Sequence, residues 1–265
     1  MAWTERQQAM LREMGLRVWA PAVLADMPAQ PAAPSAAQPP LPPPRSAPLP
    51  PIQALVPMAV AAVPDSPNTL VAGLDWPALR QAVVECRACT LCQGRRQTVF
   101  GVGHHQAHWM VVGEAPGEQE DAQGEPFVGA SGRLLDKMLA ALGLTRAMSD
   151  PPNPPRQVYI ANTLKCRPPG NRNPTPEELL RCQPFLQRQV ELVQPKVILA
   201  MGRFAVQSLL DSSLPIGQLR GKVHAWRGVP LVVTYHPAYL LRTPADKGRA
   251  WADLCLAASV AEATG

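Results

Sequence analysis

Six cysteines lie along the 265-residue chain in a pattern that suits a metal site better than disulfides. Cys86-Arg87-Ala88-Cys89 is a C-x-x-C that overlaps a second one, Cys89-Thr90-Leu91-Cys92, and Cys166 and Cys182 follow with fifteen residues between them. Two distant pairs of thiolates can close a large loop around a metal. Zinc and a [4Fe–4S] cluster both accept four cysteine ligands, so spacing alone leaves the two open. For any single cysteine the plainer alternative is a buried, inert thiol. A second group of residues is polar: Glu114 in Gly113-Glu114-Ala115-Pro116-Gly117, Asn162, and His236 in Tyr235-His236-Pro237-Ala238. Each follows a short apolar run. Taken singly, a glycine turn, an Asn at a strand end and a His-Pro turn are commonplace; their equivalent placement after different runs is what suggests a shared crevice.

The elements that must position these groups are legible as alternating strands and helices. Trp109–Val112, Val158–Ala161, Val197–Met201 and Leu231–Thr234 are Val-, Ile- or Leu-rich and short enough for buried strands. Between them, Ser131–Leu142 sets Leu134, Leu135, Met138, Leu139 and Leu142 on one helical face, with Gly143 to cap its end. Thr175-Pro176-Glu177-Glu178 is a capping box with proline at the first helical position. The helix it opens runs toward Val193, with Pro184 expected to kink or divide it. Phe204–Leu210 reads as a third helix. This alternation predicts an α/β fold, a three-layer α/β/α sandwich around a central four-stranded parallel sheet. Such folds place function at the carboxyl ends of the strands, where Glu114, Asn162 and His236 fall.

Composition divides the chain. Fifteen of its 32 prolines lie between Pro21 and Pro67, among Ala, Gln and Ser. That stretch cannot bury enough apolar surface to offset its ordering entropy, so residues 21–67 are expected to be a disordered linker. Residues 68–265 form the folded domain, and residues 1–20 a short amphipathic segment with Met10, Leu11, Met14 and Val18 near helical spacing. The first 68 residues carry four Arg and four acidic residues, which leaves the whole +5 net charge in the folded part. A mildly basic domain fits a polyanion such as nucleic acid, though many enzymes share this balance. No apolar run is long enough to span a bilayer, and the N-terminus lacks a clean apolar signal core. A cytoplasmic protein with reduced thiols and no membrane partner is therefore expected, and the expected state is a monomer, which composition does not itself decide.

Several segments, in this order, resemble the family 4 uracil-DNA glycosylases, the iron–sulfur branch of that superfamily. They are Gly113-Glu114-Ala115-Pro116-Gly117, Gly124-Glu125-Pro126-Phe127-Val128-Gly129, Asn162-Thr163-Leu164-Lys165-Cys166-Arg167-Pro168-Pro169 with Asn171 to Glu178, and His236-Pro237-Ala238-Tyr239-Leu240-Leu241. The resemblance runs from about Leu79 to about Leu256. It implies excision of uracil from DNA and a [4Fe–4S] cluster on Cys86, Cys89, Cys166 and Cys182, leaving Cys92 and Cys255 spare. It assigns Glu114, Asn162 and His236 to catalysis and sets Ala115, Glu120, Phe127, Asn162 and His236 around the base. Phe127 would stack on the flipped uracil, Asn162 read its O4 and N3–H, His236 donate to O2, and Glu120 crowd the C5 position against thymine. Ser131, Lys165, Arg167, Arg220, Lys222, Leu240 and Arg242 would face the DNA, Leu240 as the wedge left in the base stack. The best-known sister family keeps a water-activating Asp where this chain has Ala115; family 4 members commonly lack that Asp too, so the resemblance holds but a general base does not carry over.

Two rivals remain in view. The covalent uracil-binding branch traps product on a His within a basic loop, and Arg167 to Pro176 contains no His and no such basic run. A non-catalytic four-cysteine zinc module would explain the cysteines and the charge but not Phe127, Asn162 and His236 together. Beyond the domain, Leu11 to Trp19 is similar to the N-terminal segment of the psi subunit of the bacterial clamp loader. That likeness implies a replisome component as the partner of residues 1–20.

Overall fold

The computed structural model describes residues 71–149 and 151–264. The expected docking segment (1–20) and linker (21–67) lie outside the described residues. Within these, a six-stranded mixed sheet is flanked by helices on both faces. The strands are β1 (Val102–Gly103), β2 (Trp109–Gly113), β3 (Val158–Asn162), β4 (Val197–Met201), β5 (Val223–Trp226) and β6 (Val229–Thr234), in the order β1-β3-β2-β4-β6-β5. The four expected strands are the parallel middle of this sheet, and β1 and β5 add an antiparallel edge on each side. The purely four-stranded expectation is thus corrected. β1 has two residues, too few to leave a periodic signal. β5 joins β6 through Arg227-Gly228, both at positive φ (48° and 84°), the backbone that a two-residue hairpin turn needs.

The parallel strands read as continuous apolar runs because both faces are buried. Trp109, Val111, Val158, Ile160, Val197, Leu199 and Val232 face one layer, built from α4 (Ala130–Ala141) and α9 (Lys247–Ala263). Their neighbours Met110, Val112, Tyr159, Ala161, Ile198, Ala200, Leu231 and Val233 face the other, built from α5 (Pro176–Val193) and α6 (Arg203–Leu210). α9 had no legible amphipathic stripe: its buried face includes Ala250 and Ala257, and Ala also occupies several of its other positions, so polar contrast around it is low. The capping box forms as expected, with Thr175 Oγ1 accepting from Glu178 N–H and Glu178 Oε2 accepting from Thr175 N–H. α5 runs through Pro184 without dividing. Gly143, at φ +71°, follows α4 in the left-handed conformation that its capping role requires.

Two further packing features shape the site. The chain leaves β2 through α4 on one face and leaves β3 through α5 on the other, so the switch point lies at the carboxyl ends of β2 and β4, where ligands of such folds bind. A third apolar cluster joins α1 (Trp76–Glu85), α2 (Leu91–Gly94) and the start of α5 around Cys166 and Cys182.

Candidate active site and cysteine site

Register brings the three motif residues together. Gly113 at the end of β2 pairs with Asn162 at the end of β3, and Met201 at the end of β4 pairs with Thr234, two residues before His236. These strand ends open into a cavity of ≈710 Å³ lined by Glu114, Ala115, Glu120, Phe127, Ser131, Asn162, Arg203, His236 and Arg242, among others. Gly113 must be glycine. A Cβ there would overlap Asn162 Oδ1 and come within 2.6 Å of the Phe127 ring. Asn162 is buried, and its Oδ1 has no hydrogen-bond partner among the described residues. An unmet buried acceptor of this kind is expected to serve a ligand.

Phe127 sits at φ +56°, a conformation that a bulky residue adopts only when its surroundings impose it. Part of the constraint is Glu120, on α3 (Glu118–Gln123). Its Oε2 accepts from Gly117 N–H (3.1 Å), and its Oε1 accepts from Val128 N–H (3.1 Å) and Gly129 N–H (3.2 Å). The carboxylate therefore clips the first-motif loop to the Phe127 segment. The Phe127 ring lies 5.4 Å from the His236 ring at 27° between planes.

His236 is the N-cap of α8 (Pro237–Arg242), and its Nδ1 accepts from Ala238 N–H at 3.2 Å. That bond leaves the proton of the neutral ring on Nε2. Burial, reinforced by the Arg242 charge and opposed by Glu120, lowers the His236 pKa to about 4, so the ring is neutral at physiological pH. Burial pushes the Glu114 carboxyl upward against the opposing pull of Arg203.

Of the residues expected to face DNA, Ser131 and Arg242 line the cavity, Lys222 is exposed, and Arg167 lies beside its rim, donating to Asn171 Oδ1 (2.8 Å). The other three are placed elsewhere. Lys165 is interior, 1% exposed, and donates to the Asn162 carbonyl and to Gln189. Arg220 is held by Asp253 through two hydrogen bonds of 3.0 and 2.9 Å, which makes it a strut at the loop between α7 (Ile216–Leu219) and β5. Leu240 is 0% exposed and part of the core, whereas its neighbour Leu241 is 44% exposed. The helical turn of α8 decides between two adjacent leucines that are equivalent in sequence. Arg172, Arg203, Tyr235 and Tyr239 also line the cavity and were not singled out. Arg203 directly follows a strand-end glycine, the one signal that marked it.

Four of the six cysteines gather away from this cavity. Cys86, Cys89, Cys166 and Cys182 share one apolar cavity with Val83, Leu91, Leu164 and Phe185, and Cys92 is not among its lining residues. Arg95 Nη1 donates to Cys166 Sγ (3.0 Å) and Lys165 N–H donates to Cys182 Sγ (3.3 Å). Burial raises the Cys89 and Cys166 thiols and lifts Cys182 to about 12. Thiolates in such a place need a cation and N–H donors to exist, and two donors are already aimed at sulfur.

The family model described as "Uracil DNA glycosylase superfamily" matches residues 100–256. A type-4 uracil-DNA glycosylase of Archaeoglobus fulgidus is 45% identical over 170 residues, covering 61% of this chain and 81% of that protein. One of Thermotoga maritima is 41% identical over 171 residues, covering 64% and 84%. One of Pyrobaculum aerophilum is 37% identical over 191 residues, covering 69% and 93%. With its strand-end cavity and its motif residues in place, the chain belongs to the uracil-DNA glycosylase superfamily, in the type-4 branch.

Proposed function

We propose that this protein excises uracil from DNA, hydrolysing the N-glycosidic bond of a flipped nucleotide and leaving an abasic site for base excision repair. The observation that carries this reading is the buried Asn162 amide, its Oδ1 unmatched, in one cavity with the Phe127 ring and the Nε2–H of His236. The glycosidic bond is unreachable in stacked DNA, so the base must leave the duplex. In the cavity Phe127 stacks on the base, Asn162 Oδ1 accepts from uracil N3–H, and its amide N–H donates to O4. Cytosine presents the reverse pattern and is rejected. Nε2–H of neutral His236 donates to O2, where charge grows as the base departs. Glu114 and Glu120 are the acidic residues lining the cavity. Glu120 is taken up by three backbone N–H groups, which leaves Glu114 to orient the attacking water. Cleavage then depends mainly on stabilising the leaving base. Release of free uracil from a uracil-containing oligonucleotide tests the reading; tight binding without release would mean a binding module.

At the DNA surface Ser131, Arg167, Lys222 and Arg242 remain the phosphate candidates, joined by Arg203. The wedge is Leu241, the exposed residue of the pair. Leu241→Ala is expected to weaken binding to uracil-containing duplex with little change in melting temperature. Leu240→Ala is expected to cost about 2–5 kcal/mol of stability, as a buried leucine does. Duplex affinity and thermal unfolding of the two variants distinguish them, and the reverse pattern would restore Leu240 as the wedge.

The four cysteines that share the apolar cavity fit a [4Fe–4S] cluster in ligand set and in the N–H groups directed at sulfur. Bound there, the cluster would cross-link the segment after α1, the loop after β3 and α5. Serine in place of Cys86, Cys89, Cys166 or Cys182 is expected to lower iron and sulfide content, and serine at Cys92 or Cys255 to leave both unchanged. Loss with Cys92→Ser but not with Cys86→Ser would shift the ligand register, and zinc in place of iron would refute the cluster.

A further inference from the structure

Lys165 is almost wholly buried, and taking an ammonium out of water is costly unless its protons are matched. Here Nζ donates to the Asn162 carbonyl at 2.8 Å and to Gln189 Oε1 at 2.6 Å. Gln189, fully buried on α5, is oriented in turn by its own N–H bonds to the Phe100 carbonyl (2.8 Å) and the Tyr159 hydroxyl (3.1 Å). The Lys165 peptide N–H reaches Cys182 Sγ, and its carbonyl accepts from Val99 N–H (2.9 Å). One residue thus touches both the cysteine site and the last peptide of β3, the residue whose side chain faces the base cavity.

We propose that Lys165 is a positioning residue: its ammonium holds the Asn162 peptide so that the Asn162 amide meets uracil in register, and its backbone anchors that arrangement to the cysteine site. The proposal rests on Asn162 as the uracil reader. A methyl or methylene at this depth would satisfy packing alone, since the side chain has no exposed face to keep wet. What the ammonium supplies in addition is a donor for the Asn162 carbonyl at the end of the strand. Misplacement of a recognition group by a fraction of an ångström is enough to slow a pre-organised site.

The test uses the metal-loaded full-length protein. Lys165→Met, which keeps the length of the stem, is expected to slow single-turnover uracil excision about tenfold and to weaken binding of free uracil by a similar factor, with iron content unchanged. In an Asn162→Ala background the same change is expected to cost less than about twofold, because the amide it positions is gone. Losses that add in the double variant, or activity loss that tracks loss of iron, would overturn the proposal in favour of a purely structural role. If Lys165→Met does not fold, Gln189→Met leaves the ammonium in place with one partner and is expected to show a loss of about threefold with the same non-additivity. Parental rates in Gln189→Met would then overturn the proposal. If Asn162→Ala by itself keeps the parental rate, the reading of Asn162 fails, and the proposal falls with it.

Discussion

Alanine at position 236 is expected to slow the chemical step of uracil excision about a hundredfold or more, equivalent to about 2.7 kcal/mol of transition-state stabilisation. The ring tautomer sets the effect. Ala238 N–H occupies Nδ1, so the neutral ring points its only N–H from Nε2, and a neutral donor can match the charge that grows on uracil O2. Single-turnover rates separate this from a binding effect; an unchanged rate would remove His236 from the mechanism. The pH dependence carries the same information. A free histidine titrates near 6.5, and burial holds this one near 4. With respect to His236, the rate is expected to stay level as pH falls through 6.5 and to decline only toward pH 4–5. A midpoint near 6.5 would contradict the buried, neutral ring. Stability follows the same sign. Between pH 6.5 and 4 the unfolded chain binds the proton that the folded one refuses, so the folded state loses stability across that window and has its full share above it.

Asn162→Asp is expected to reduce uracil excision by about a hundredfold to a thousandfold and to erase the preference for uracil over cytosine. A carboxylate has no N–H for uracil O4, and burying its charge in place of a neutral amide adds a desolvation cost. The same oxygens can accept from the cytosine amino group, so any activity that survives should move toward cytosine. Competition between uracil- and cytosine-containing oligonucleotides measures the ratio directly, and a variant that keeps the parental ratio would refute Asn162 as the reader. The two variants should differ in kind: loss at His236 slows cleavage without changing which base is chosen, whereas the change at Asn162 alters the choice itself.

Much of this protein was legible without tertiary information, for identifiable reasons. The four parallel strands announce themselves because burial on both faces demands unbroken Val, Ile and Leu. The capping box at Thr175 and the glycine after α4 are local chemistry, complete within a few residues. Asn162 and His236 were legible because they follow such strands, and the motif order carried the family. β1, β5 and α9 were not legible. β1 has only two residues, β5 is a partly exposed edge strand whose Val-His-Ala-Trp is no unbroken apolar run, and alanine around α9 removes the polar contrast that marks an amphipathic helix.

What tertiary structure alone decided is which way side chains face. Sequence placed Lys165 among basic residues near the site and therefore on the DNA; packing puts its ammonium inside, between Asn162 and Gln189. Arg220 looked like a free cation until Asp253, 33 residues away, came beside it in space. Leu240 and Leu241 are the same residue type, and only the rotation of α8 against α4 and the core assigns one to packing and the other to solvent. Residue type and spacing therefore determined the chemistry available to this chain. Burial, which arises from contacts between distant segments, determined which of those groups can reach a substrate.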